Sequence, residues 1–408
     1  MLAAAATGEV RREMTLRRWW AVAGLVLFAA TWKLWTPQME FPQVPLFGWA
    51  GSLPLFFDWL AFGILLGSLA AAAWKPDSRR IWIAIAISLS VSMVLDQHRL
   101  QPWAWQLLLM AIWWSSAGVG QVGNLPHVVL TISIYFWSAI SKLDADFVCS
   151  HGQTLIEALF RSVGINAVNW PTNCKSWLAI LLPIGELLVA TGFCWPRTRR
   201  VALFGATALH VGLILALGPL GLGHRPGVLL WNVAFIGHDW LLFGARSFVV
   251  PPSGGSSQHE AFRLKAGLRT AVVTFVCVWP VTERWGLCDR WLAWSVYSAH
   301  SERVSVTLTA AGLRRLPESA RRCVTDGELP LDRWSLVALD APISPQLRFQ
   351  FGVVDWLRRR CGEENLVEVI VQHSHGAGGN IERLPVEQLD ERRRAFLVNT
   401  QPRSTKSP

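Results

Sequence analysis

Charged side chains are scarce in this sequence. They make up 16% of its 408 residues, with 52% hydrophobic, against about 25% charged in soluble proteins. A chain so poor in solubilising groups does not read as a soluble enzyme, and it is too apolar to be disordered. Tyrosine is nearly absent, at two residues beside 24 tryptophans, and the basic residues are 32 arginines to only six lysines. The seven cysteines contain no C-x-x-C spacing, which excludes a thioredoxin-like redox pair and a zinc knuckle. No internal repeat or broken helix pair is visible, which argues against a transporter built from inverted halves. No basic stretch interleaved with aromatics suggests a nucleic-acid groove. The net charge of +10 therefore reads as the cytoplasmic loops of a membrane protein.

What is present is a series of long apolar runs. Crossing a bilayer takes about 20 apolar residues, and nine spans are expected, near 19–36, 54–74, 81–96, 102–118, 127–143, 176–195, 201–220, 227–244 and 267–285. The first does not read as a cleaved signal, because Trp32-Lys33-Leu34-Trp35 stands where small residues would mark cleavage. With residues 1–18 inside, the inside segments hold fourteen Lys and Arg, from Arg11 to Arg269, and the outside loops hold four, Arg99, Arg161, Lys175 and Arg225. The positive-inside bias then sets the topology. An odd number of spans puts 286–408 outside. Pro251 to Ser257 reads as a flexible inside linker before the last span.

The outer segment reads as a small α+β domain. Val304, Val306 and Leu308 alternate as a strand does, and so does Leu366–Val371. Ser344-Pro345 marks a helix start, with Leu347, Phe351, Val354 and Leu357 as its apolar face and Cys361-Gly362 as its end. The fold class is thus an all-α polytopic bundle (19–285) with a C-terminal α+β extramembrane domain (286–408). Cys149 and Cys174 share one outside loop, where a disulfide between them is expected.

An ionisable residue inside a span is costly and points to function. Asp58, Asp96, Lys142, Glu186 and His210 are such residues, with Gln106, Tyr135 and Asn232 as neutral company. At about 1.5 Å per residue, Glu186 and His210 fall near the midplane and the others nearer the outer face, which describes a polar cavity opening outward. Lys142 stands out because a lysine in a low-dielectric pocket can lose its proton and act as a base, which an arginine cannot. Tyr135 is two turns away on the same face. Lys142 could equally snorkel and pair with Asp144 or Asp146. His210 could be a neutral hydrogen-bonding residue between helices, with Glu186 as its partner. His373 and His375 share a strand face, but no third metal ligand accompanies them, and no metal is expected.

The run from Tyr135 to Phe147, with Lys142-Leu143-Asp144-Ala145-Asp146 at its centre, resembles a segment of the vitamin K-dependent gamma-glutamyl carboxylases. In looser form it also resembles the horizontally transferred transmembrane domain (HTTM) and DoxX/MauE-like proteins. Ala208-Leu209-His210-Val211 is similar to a histidine-bearing segment of a later span. The resemblance covers about residues 15–245. It implies a membrane enzyme acting on a lipid quinone or hydroquinone, or another lipid-soluble redox substrate, with Lys142 as general base and His210 catalytic. Tyr135, Asp96, Glu186 and Asn232 would line the substrate pocket. The chain departs from the carboxylases in its shorter outer part and in having Trp103 near the place of a second histidine, with His98 out of register. The alternative function is a non-catalytic DoxX-like scaffold or assembly factor whose outer domain binds an extracytoplasmic protein. The location expected for either is the bilayer of a bacterial inner (plasma) membrane.

Overall fold

The structure, a computed structural model, describes residues 2–116, 119, 125–244, 273–298, 301–373 and 381–403. Apolar runs become helices: α1 (Leu2–Ala30), α2 (Phe56–Trp74), α3 (Arg79–Leu95), α4 (Pro102–Ser116), α5 (Leu125–Ile140), α6 (His151–Ser162), α7 (Thr172–Cys194), α8 (Arg199–Leu217) and α9 (Pro226–Phe243). Pairs adjacent in sequence pack as hairpins, α2 with α3, α3 with α4, and α8 with α9. Long-range pairs, α1 with α9 and α5 with α7, close the bundle. The α1–α9 contact needs Gly237, where an added Cβ would lie 2.2 Å from the Trp19 ring.

Nine spans are expected from the sequence. Among the described residues, three helices are long and apolar enough to cross a membrane: α2, α7 and α8. The others fall short for identifiable reasons. The helices α3, α4 and α5 have 17, 15 and 16 residues, and at about 1.5 Å each this is less than the roughly 30 Å hydrocarbon core. The apolar part of α1 is entered through Glu13, Arg17 and Arg18, and α9 carries Asn232, His238 and Asp239. The ninth expected span is helical at 273–278, and its residues 267–272 lie outside the described residues, as does the linker 251–257.

The C-terminal domain follows its sequence pattern closely. It comprises β1 (Arg303–Leu308), α10 (Ala310–Arg315), β2 (Glu328–Pro330), α11 (Leu331–Leu339), α12 (Leu347–Cys361), β3 (Leu366–Gln372) and β4 (Ile381–Pro385). The antiparallel sheet runs β2-β1-β3-β4. Val304 pairs with Val371 and Val306 with Val369, and all four are buried. The helix α12 ends where Gly362 turns with φ +92°, a conformation that glycine adopts without strain.

One apolar core runs from the bundle into this domain. Phe41 meets Trp334 with ring centres 4.7 Å apart, and His98 meets Phe349 at 4.8 Å. The domain sits on the bundle end that carries Lys33, Gln43, the turn 96–101 and Arg225. Lys33 donates to Asp340 at 2.7 Å, and His98 Nε2 lies 2.7 Å from the Pro342 carbonyl. Near the end of the chain Arg403 inserts beside α2. It bonds the Asp58 carboxylate, whose other oxygen is 2.6 Å from Arg99. The side chains of Asp58 and Arg99 are fully buried. Breaking one partner from a buried pair costs about 3–5 kcal/mol. Arg403→Ala should therefore lower the unfolding temperature markedly in detergent and expose the outer domain to protease. An unchanged melting curve would show that the latch does not hold the domain.

His98 gives a second test. Burial is the main cause that lowers its imidazole to about 4, opposed by the bond to Pro342. An unfolded chain takes up that proton first, so the His98 contribution is intact above about pH 6.5 and is lost as pH falls towards 4. Comparing wild type with His98→Gln removes the effects of other groups common to both. The wild type should lose melting temperature relative to the variant between pH 6.5 and 4. A difference constant with pH would refute a buried neutral His98.

Candidate functional site within the helix bundle

The polar residues of the bundle gather into linked groups. Tyr135 projects from α5 between α8 and α9, under the rings of Phe235 and Phe193 at 5.6 and 5.9 Å. Its hydroxyl lies 2.6 Å from Asp239 Oδ2 and 2.7 Å from His210 Nε2. His210 Nδ1 lies 2.7 Å from Asn232 Oδ1, and Asn232 Nδ2 donates to the Val228 carbonyl one helical turn back at 2.8 Å. Tyr135, Asn232 and Asp239 are buried, while His210 is half-buried.

A second group lies two turns further along the α5 segment. Lys142 donates to Glu186 Oε1 at 2.7 Å, to Glu186 Oε2 at 2.9 Å and to Ser138 Oγ at 2.7 Å. An ammonium has three protons, and all three are used. A third group fixes a histidine. Trp20 Nε1 donates to His238 Nδ1 at 2.9 Å, so the ring hydrogen sits on Nε2, 2.8 Å from Thr131 Oγ1. The Thr131 hydroxyl donates in turn to the His127 carbonyl at 2.7 Å.

Of the expected site residues, the structure joins Tyr135, His210 and Asn232 directly and pairs Lys142 with Glu186. Four expectations change. Lys142 pairs across to α7 rather than with Asp144 or Asp146. Asp144 instead caps the helix Ala145–Cys149. Glu186 serves Lys142 and not His210. Asp96 stands apart from the group: its carboxylate accepts from the backbone N–H groups of Val44 and His98, at 3.3 and 3.1 Å, which makes it a cap for the turn after α3. The cysteines expected to bridge, Cys149 and Cys174, are free and exposed. The first closes a short helix, and the second lies in the first turn of α7.

Asp239 and His238 are members of the site that the sequence reading passed over. Their signal is the one that marked Lys142, an ionisable residue within an apolar run. His373 is held by Glu302 at 3.1 Å and Glu382 at 2.9 Å, and His375 lies outside the described residues. Among the described residues no group of three or more His, Cys, Asp or Glu is placed to hold a metal. The chain matches no protein-family model, no curated protein and no solved structure among those compared.

The Lys142–Glu186 pair can be tested by a double-mutant cycle. Lys142→Met alone leaves a buried carboxylate unpaired and should destabilise by about 3 kcal/mol or more. Lys142→Met with Glu186→Gln removes both charges and should recover most of that loss. Additive effects in the cycle would mean that the two side chains do not interact.

Proposed function

We propose that the chain is an integral membrane enzyme of the HTTM/vitamin K-dependent carboxylase-like superfamily, acting on a lipid quinone or another lipid-soluble redox substrate. The observation that carries this reading is the buried Lys142–Glu186 pair, beside Tyr135 and His210 and among helices rich in apolar residues. Lys142 is the base. Passing one ammonium proton to Glu186 leaves a neutral amine beside a carboxylic acid, with no change in net charge. That amine can then take a proton from a hydroquinone hydroxyl. Tyr135, His210 and Asn232 line the same pocket. We place the helix bundle in a bacterial inner membrane, with the N-terminus inside and 286–408 outside. The docking of the outer domain beside Lys33, His98 and Arg225 supports that arrangement, since the loops expected outside share that end.

A second reading is a scaffold or assembly factor whose outer domain holds a partner protein. The full use of the Lys142 ammonium favours it, because that is also how a structural ion pair behaves. The readings separate at Lys142→Arg, which keeps the cation and the Glu186 partner but supplies no free base near neutral pH. As an enzyme, the protein should lose at least about tenfold, roughly 1.4 kcal/mol of barrier, in host activity at matched expression. It should also yield a quinone among lipids that copurify in mild detergent. Full activity of Lys142→Arg would overturn the base and leave the scaffold.

A further inference from the structure

The hydrogen count of the Tyr135 group has consequences for its chemistry. Asn232 is oriented by its own helix. Its Nδ2 donates to the Val228 carbonyl, and a flipped amide would set oxygen against oxygen there. Its Oδ1 is therefore an acceptor, and His210 must carry a hydrogen on Nδ1 to bond it. Two fillings of the remaining contacts satisfy both. In one, Tyr135 donates to an ionised Asp239, and His210 carries a second hydrogen on Nε2, so it is an imidazolium. In the other, Asp239 is a carboxylic acid donating to Tyr135, the Tyr135 hydroxyl donates to Nε2, and His210 is neutral. An ionised Asp239 beside a neutral His210 leaves one contact without a hydrogen.

We infer that Asp239, Tyr135 and His210 form a proton relay that moves one stored proton between Asp239 and His210. The step is balanced. The Asp239 O–H bond breaks as that proton bonds to the Tyr135 oxygen, and the Tyr135 hydroxyl proton passes to His210 Nε2. Acid and imidazole become carboxylate and imidazolium, and the tyrosine is unchanged. The pair is neutral overall in both forms, so no net charge has to enter the apolar interior, where an unpaired ion is costly.

The neighbouring groups leave this path uncontested. His238, next to Asp239 in sequence, spends one ring nitrogen on Trp20 and the other on Thr131. Lys142 is committed to Glu186 and Ser138, and Arg17 to Glu13 and the Pro76 carbonyl. The two ends differ in placement. Asp239 is fully enclosed about one turn from the Phe243 end of α9, while His210 is half-buried on α8. Asn232 lies seven residues, or about 10 Å, back along α9 from Asp239. His210 is thus the less enclosed end of the relay. The relay does not rest on the quinone reading above.

The test needs no substrate. Histidine labelled with 15N, in protein reconstituted in bilayers, reports the protonation of His210, identified by the signal lost in His210→Gln. Infrared spectra report any carboxylic-acid stretch lost in Asp239→Asn. One of the two signatures should be present, acid at Asp239 or imidazolium at His210, with the other absent. Asn232→Asp, which sets a carboxylate at Nδ1, should drive His210 to the imidazolium form. The same change combined with Tyr135→Phe should leave His210 neutral. Both signatures together, neither of them, or an imidazolium that survives Tyr135→Phe would overturn the relay. Loss of the base role at Lys142 with these spectra intact would remove the quinone and leave the relay standing.

Discussion

A carboxylate with no access to water, held between two guanidinium groups, fixes how the two halves of this protein meet. Asp58 lies in the first turn of α2, and burial of a lone charge there would cost far more than the fold could spare. Arg99 from the turn after α3 takes one oxygen, and Arg403 from the end of the chain takes the other. Two cations on one anion leave a positive excess. Backbone carbonyls absorb it: Leu53 and Pro54 accept from Arg403 at 2.7 and 2.9 Å, and Leu34 accepts from Arg99 at 3.0 Å. Each of those carbonyls belongs to the segments at the end of the bundle where the C-terminal domain docks. The ion cluster therefore orders the loops as well as the domain that rests on them, and His98 and Arg348 can then bond across the same seam.

How much of this was legible in the sequence depends on the range of the interaction. The outer strands at 303–308 and 366–372 and the helix at 347–361 follow from periodicity, because a half-buried element must alternate its apolar residues. Helix α12 starts at Leu347, three residues after Ser344, since the backbone before it stays extended at Gln346. The apolar runs of the bundle were visible too. Their lengths were not, because an apolar run does not mark where its helix stops, and α3, α4 and α5 end at 17, 15 and 16 residues. For the site, the residue types gave the members Tyr135, Lys142, Glu186, His210 and Asn232. Depth along a helix does not fix rotation about its axis, so the partner of Lys142 emerged 44 residues away instead of at Asp144. Arg403 could not be anticipated: its role depends on where the chain end returns after the sheet is built.

The two histidines of the polar core show how partners decide function in one environment. His238 faces an indole that only donates and a hydroxyl that can accept, so its tautomer is fixed and both of its nitrogens are occupied. His210 faces an amide oxygen on one side and a phenol on the other, and a phenol can donate or accept. That freedom at Tyr135 is what separates a structural histidine from one whose protonation can change. The ring in the middle matters for a further reason. A carboxylate bonded directly to His210 would form a plain ion pair, with the proton held between two atoms. Interposing the Tyr135 hydroxyl lets the acid remain enclosed while the imidazole sits at the half-buried surface.

The same logic extends to Lys142 and Glu186. Lys142 with Glu186, and Asp239 with His210, each consist of one acid and one base, and each can exchange a proton internally while its sum of charges stays at zero. A low-dielectric interior resists the arrival of net charge but is far more tolerant of a shift between touching partners, because the field of a close dipole falls off faster than that of an ion. Helices that must remain apolar on their outer surfaces can therefore hold acid–base groups, provided that they come as matched pairs. Lys142 with Glu186 meets that condition by direct contact, and Asp239 with His210 meets it through the Tyr135 hydroxyl.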